Sequence, residues 1–146
     1  MGNVYGIAQP GFVPFVTTVG GDVALPAGIE TAVMTSLALV APGPGNWFPL
    51  ILGVVAVLLG ATPPTALTIA FKNGGSDVDT MIVAPALLVA SATLNLPLYL
   101  LGANSGSLWI GAGQNVQLTV LPTGQAATFK FNGSKMIPLL LRGLDA

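Results

Sequence analysis

The feature that most constrains this chain is a long stretch without charge, which runs from Thr31 to Phe71 and is interrupted by glycine and proline. Only thirteen residues separate Pro49 from Pro63, and Gly53 lies among them. A helix needs about 20 apolar residues to cross a bilayer, so these interruptions come too early for a transmembrane helix. Valine is frequent between the prolines, and β-branched residues pack well on a pleated surface. The stretch therefore predicts buried strands.

The pattern inside this stretch predicts a strand over Leu50–Leu59, a turn over Gly60–Pro64 and a strand over Thr65–Lys72. The second strand alternates between apolar and small or polar residues, whereas the first is apolar at both parities. A strand that is apolar on both faces is covered on both faces, and in a chain of 146 residues we expect a partner to supply one cover. The sequence leaves open which parity faces outward. The interface candidates are one parity of this strand and two tryptophans typical of interface anchors, namely Ile51, Val55, Val57, Leu59, Trp47 and Trp109.

The rest of the chain predicts further short strands with turn signals between them. They are expected at 15–19, 22–25, 30–40, 80–84, 86–94, 96–102, 115–121, 127–131 and 135–142, where 80–84 and 86–94 are either two strands separated by Pro85 or one bent strand. Asn132-Gly133 is a strong signal for a two-residue hairpin turn between the last two strands. No segment shows sustained helical periodicity. Strands at this spacing are typical of a sandwich or barrel, so we predict one all-β domain over 15–146, preceded by an extended arm over 1–14.

The scarcity of charge indicates a subunit whose surface is mostly interface. Charged residues make up 6% of the chain, against about 25% in a typical domain. A free monomer with so few charges would be poorly soluble. The net charge is −1 and the four basic residues are scattered, whereas nucleic-acid binding needs a basic face. We therefore expect no direct contact with nucleic acid. The N-terminal residues also lack the pattern of a signal peptide.

The residue types present exclude most enzyme chemistry. The chain has no histidine and no cysteine, which removes imidazole bases, thiolate nucleophiles and most zinc sites. We predict no catalytic residue and no cofactor. Asp77 and Asp79 are two residues apart, so on a regular strand they would share a face and could ligate Ca²⁺. Their spacing does not match an EF-hand loop, and a solvated turn is the other interpretation.

Three parts of the chain carry a resemblance to a known group of proteins. They are the turn from Leu25 into the strand at Thr31, the Pro42–Asn46 loop, and the closing strands Asn115–Leu121 and Ala127–Arg142. In this pattern the chain resembles the small single jelly-roll capsid and virion proteins of icosahedral viruses and phages. The resemblance implies a single jelly roll of about eight strands, self-assembly into trimers or larger capsomers, contact with other virion proteins, a location in the virion and no enzymatic activity. The chain departs from many such proteins by lacking a basic arm.

Two other functions stay open at this point. A trimeric binding head like those of tumour necrosis factor or C1q would use the same barrel, but it should present a polar or charged recognition face. A small membrane-associated β protein would account for the hydrophobic content of 53%, but serine, threonine and asparagine are unevenly placed for it. Assembled particles that stay soluble without detergent would separate the virion protein from the membrane protein.

Overall fold

The chain forms two antiparallel β-sheets in a computed structural model that describes residues 12–14, 17–18, 20–40, 47–101 and 115–142. The strands are β1 (Phe12–Pro14), β2 (Thr17–Thr18), β3 (Val23–Leu25), β4 (Thr31–Ser36), β5 (Trp47–Leu59), β6 (Ala66–Asn73), β7 (Ser76–Ile82), β8 (Thr93–Leu101), β9 (Val116–Thr123) and β10 (Ala127–Arg142). One 3₁₀ turn, Pro85–Leu87, is the only helical element within these ranges. They include no helix long and apolar enough to cross a membrane.

Sheet A is built around β10 and β5, the two longest strands. β8 pairs with the free side of β5, and both β1 and β3 pair with the other side of β10. Sheet B has the order β2-β4-β9-β6-β7. The prediction of an all-β sandwich is confirmed, because seven strands of six or more residues and three short ones account for nearly all the regular structure. The end of the predicted arm is part of the sandwich, since β1 pairs with Leu139–Leu141 of β10.

The core lies between the two sheets and is one continuous cluster of apolar side chains. Alternate residues of the central strands supply it, because successive side chains of a strand point to opposite faces. Its largest fully buried members are Trp47 and Phe129 from sheet A and Phe71 and Met34 from sheet B. One buried polar side chain, Asn73, has no hydrogen-bond partner among the described residues for either amide atom.

The longest strand pair contains the main irregularity of the fold. On β10, residues 131–134 lie opposite the single residue Val55, because Lys130 pairs with Ala56 and Lys135 with Val54. A bulge of this size pushes the backbone of β10 across β5. Gly53 accommodates it: its φ is +134°, and a Cβ there would lie 1.8 Å from the carbonyl oxygen of Lys135. Only glycine fits such a backbone contact at positive φ.

Two predicted elements are wrong. Asn132-Gly133 does not turn a hairpin, because 127–131 and 135–142 are parts of one strand, β10, and the dipeptide lies in its bulge. The apolar run 86–94 is not a strand, because Pro85 starts a 3₁₀ turn and Ser91 takes a positive φ of 57° before β8 begins at Thr93. Proline favours the first position of a helical turn, which stops β7 from continuing.

Candidate assembly surface

The face of sheet A that points away from the core is apolar, and we call it the outer A face. The pairing of β5 with β8 and β10 places Leu52 between Tyr99 and Ile137, and Val54 between Pro97 and Lys135. Directly opposed residues point to the same side of a sheet, so these side chains form one surface. Its four most exposed large apolar side chains, including the adjacent bulge residue, are Tyr99 (68%), Ile137 (52%), Phe131 (47%) and Leu58 (36%).

This concentration is particular to sheet A among the described residues. The other exposed large apolar side chains lie in loops, in the 3₁₀ turn or at the end of a strand, and they are Ile29, Leu37, Val40, Ile82, Leu87 and Val89. Single exposed apolar residues are ordinary on protein surfaces, whereas a contiguous apolar patch marks an interaction site. The outer A face is therefore the candidate functional site of this chain.

The structure corrects the predicted choice of parity on β5. Ile51, Val55, Val57 and Leu59 are 0–2% exposed and belong to the core between the sheets. Trp47 is buried in the same cluster, and Trp109 lies outside the described residues. Side chains already buried within one chain offer no surface to a partner. The parity that faces outward is that of Leu52, Val54 and Leu58.

The outward parity is only partly open, and the β10 bulge covers it at Ala56. Leu50 and Ala56 are 4% and 2% exposed, whereas Leu52 and Val54 are half-buried. A Cβ added to Gly133 would lie 3.3 Å from the Cβ of Ala56, which shows how closely the bulge crosses β5. The sequence prediction that both faces of this strand are covered is thus partly met within the chain itself.

Two polar side chains fix the bulge in place. The carboxylate of Asp22 accepts a hydrogen bond from the backbone N–H of Phe131 at 2.9 Å and forms an ion pair with Lys130. The hydroxyl of Ser134 donates to the carbonyl oxygen of Lys130 at 2.7 Å and accepts from the backbone N–H of Ala56 at 2.8 Å. Ser134 therefore satisfies a backbone donor of β5 that the bulge leaves without its strand partner.

The ion pair and the backbone bond also change the acidity of Asp22. The hydrogen bond from Lys130 is the main reason that the pKa of Asp22 is lowered, and the N–H of Phe131 lowers it further. Both contacts stabilise the ionised carboxylate. The bulge is thus held by a group that is charged at neutral pH.

A groove lies beside the bulge, and we call it the edge groove. It has a volume of about 400 Å³ and is lined by Phe131, Ser134, Lys135, Met136 and Ile137. Met136 packs against the core, whereas Ile137 is exposed on the outer A face, so the groove follows the edge of β10. On this edge β3 pairs with 127–129 and β1 with 139–141, and no described strand pairs with the residues between them.

The outward face of sheet B carries a network of ion pairs. Lys72 forms ion pairs with Asp77 at 2.6 Å and with Glu30 at 3.1 Å, and the hydroxyl of Thr119 donates to Glu30 at 2.9 Å. Hydrogen bonds to Asp77 and then Glu30 raise the pKa of Lys72 above its usual value. The two sheets therefore present different surfaces: sheet B has an ion-pair network on its outward face, whereas the outer A face is mostly apolar, with Lys130 and Lys135 as its lysines on β10.

The two calcium candidates do not lie on one face. A β-bulge places Asp77 opposite Lys72 and Asp79 opposite Phe71, so the two carboxylates belong to opposite sides of sheet B. Asp77 is also paired with Lys72, which competes with a cation for its oxygens. Within the described residues, no three acidic side chains gather at one point.

Sequence reasoning missed the residues that form this surface. The sequence pattern puts Phe131 and Ile137 on two separate strands around a hairpin, so it does not predict their position beside β5. It puts Tyr99 on a strand, 96–102, but does not indicate which strand pairs with it. The alternation of Leu52 and Val54 was visible in the sequence, but their direction depends on which face of β5 meets sheet B.

Comparison with known proteins supports a capsid-like fold. No protein-family model and no curated protein sequence matches the chain. A chain in the structure of infectious bursal disease virus, Gt strain, is similar over 93% of this chain, with a TM-score of 0.56 and 9% identity. A chain in the structure of the Gx strain is similar over 90%, with a TM-score of 0.52 and 13% identity. This chain spans about a third of their length, 34% and 31% respectively.

Proposed function

We propose that this chain is a structural virion protein that self-assembles into the viral shell as a capsid or decoration subunit. The observation that carries the proposal is the apolar outer A face on a sandwich of capsid-like fold. A shell subunit needs a rigid domain with surfaces that become buried on assembly, and it needs no catalytic group. Two packed sheets with one apolar outward face meet that need.

The strand order supports a single jelly roll as the finer description of the fold. The eight strands from β3 to β10 divide into the orders β3-β10-β5-β8 and β4-β9-β6-β7. In each sheet, strands distant in sequence are neighbours, as two Greek keys closed into a double sheet require. β1 and β2 then extend the two sheets from the segment that precedes the jelly roll.

The exposed area of the outer A face indicates what assembly could contribute. Its four exposed large side chains present roughly 350 Å² of apolar surface, worth about 9 kcal/mol on burial before association costs. A standard interface buries about 800 Å² per partner. The outer A face therefore suits the apolar centre of a larger contact, with more polar surroundings as its rim.

The proposed partners are further copies of the chain, as trimers or larger capsomers, together with other virion proteins. Lys72 and Lys130 are both engaged with carboxylates, which supports the expectation of no direct contact with nucleic acid. The proposed location is the virion.

The experiment is expression of the chain alone, followed by light scattering and electron microscopy in detergent-free buffer. We expect assemblies much larger than one 14.7 kDa chain. A stable monomer at high concentration would contradict the proposal. Assembly that requires detergent would favour a membrane-associated protein instead.

A further inference from the structure

The β10 bulge and the edge groove lie side by side where the outer A face meets the edge of β10, so a projecting part and a recess of the surface are neighbours. The bulge presents Phe131, Asn132 and Gly133, all exposed, and we call these three residues the bulge tip. The groove begins at the same bulge and continues to Ile137. We infer that two copies of the chain pack in a symmetric pair in which the bulge tip of each copy enters the edge groove of the other. The inference rests on the proposed self-assembly and names its contact.

Two-fold symmetry follows from the closeness of tip and groove. In such a pair the same patch on both copies is used, so each contact is made twice. A tip that adjoins its own groove allows both contacts to form around one axis. A tip and a groove on opposite sides of the molecule would instead build an open chain of copies.

The size and chemistry of the groove fit this occupant. A cavity of about 150 Å³ holds a benzene ring, so a groove of about 400 Å³ accommodates the phenyl ring of Phe131 and the adjacent backbone. Met136, Ile137 and the groove's own Phe131 supply apolar walls, so in the symmetric pair each Phe131 lines one groove and enters the other. Lys135, which lines the groove, has no ion pair among the described residues. In the symmetric pair its ammonium group could donate a hydrogen bond to the side-chain carbonyl of Asn132 from the other copy.

The tip is also rigid enough to act as an anchor. Asp22 and Ser134 hold both ends of the bulge, so the backbone that carries Phe131 loses little freedom when the tip binds. Preorganised aromatic residues at the centre of an interface contribute most to affinity. The second copy is favoured over an unrelated peptide because binding at the groove would also cover the rest of the outer A face.

The experiment uses engineered cysteines, which is simple because the chain has none of its own. Asn132→Cys and Ile137→Cys are made as separate full-length variants of different mass, mixed, assembled and mildly oxidised. We expect a mixed disulfide dimer as the main cross-linked product. Thr80→Cys, on the outward face of sheet B, is the matched control for random collision between exposed thiols, mixed with Ile137→Cys.

A second variant tests the anchor. Phe131→Ser, added to the Asn132→Cys chain, should weaken association at least about tenfold, with an unchanged circular dichroism spectrum. If assemblies form but the mixed disulfide is no more abundant than with Thr80→Cys, the inference is wrong while the proposed function stands. If wild-type chains stay monomeric, both are wrong. If another virion protein occupies the groove instead, assemblies should form but the mixed disulfide should be no more abundant than with Thr80→Cys.

Discussion

A pair of charge substitutions on β5 tests whether the two faces of this strand have the roles that the structure gives them. Val55 is fully buried in the core, opposite Leu96 of β8. Val55→Asp loses the burial of a valine, about 1.5–3 kcal/mol, and adds an unpaired buried carboxylate at several kcal/mol more. The sum is about 5 kcal/mol or more, comparable with the whole stability of a typical domain. We expect this variant not to fold.

The neighbouring substitution, Val54→Asp, should leave the fold intact. Val54 is half-buried on the outer A face, and its cross-strand neighbours are Pro97 and Lys135. The new carboxylate therefore stays in contact with water and lies opposite the ammonium group of Lys135. For this reason we expect the substitution to lower the free energy of unfolding by about 1 kcal/mol or less. In an assembled contact the same carboxylate would be desolvated, so we expect the variant to fold and fail to assemble.

Circular dichroism reports folding and light scattering reports assembly of the same samples. Val55→Thr and Val54→Thr are the matched controls, because threonine has the shape of valine without a charge, and both should fold and assemble. Normal assembly of Val54→Asp would show that the outer A face is open to water in the particle. A folded Val55→Asp would contradict the position of this side chain in the core.

Four further substitutions test how the bulge is built. Gly53→Ala should destabilise the fold by about 3 kcal/mol or more, since its Cβ would collide with the backbone of β10, whereas Gly60→Ala should change the thermal midpoint little. Ser134→Ala should cost about 1–3 kcal/mol in chemical denaturation because the N–H of Ala56 loses its acceptor; an unchanged midpoint would contradict the contact. Gly133→Val should destabilise by about 1 kcal/mol or more, because its φ is +112°, although the residue lies in a bulge and not in a hairpin turn. The lowered pKa of Asp22 predicts that its ionised carboxylate stabilises the folded state fully above the ordinary aspartate pKa of about 3.9, and that this stabilisation is lost as the pH falls through the lower pKa of the folded state. In Asp22→Asn the loss of stability in acid should therefore be smaller. An identical dependence of stability on pH in the variant and the wild type would contradict this.

The sequence was sufficient to predict the class of fold. Turn signals between short apolar runs, the absence of helical periodicity and the early interruptions at Pro49 and Gly53 all point to strands. These signals depend on residues close together in the sequence, so they can be recognised without knowing which strands become neighbours in the fold. The same holds for β6, where the alternation predicted over Thr65–Lys72 coincides with a strand of the structure.

Local signals were misleading where a distant strand decides the conformation. Asn132-Gly133 is a good hairpin turn in isolation, yet β5 continues past it and pairs with both flanking segments, so the dipeptide becomes a bulge. The burial gained by extending the pair from Ala127 to Arg142 outweighs the local preference for a turn. Gly53 has its role for the same reason, because only the path of β10 requires a residue without Cβ there.

The sequence by itself also determined that β5 has two apolar faces and that few charged residues are available to the surface. Only the tertiary structure decided that Val55 faces inward and Val54 outward, and that Phe131, Ile137 and Tyr99 meet on one surface. The physical reason is that the parity of a strand becomes an inside and an outside only when a second sheet packs on one of its faces.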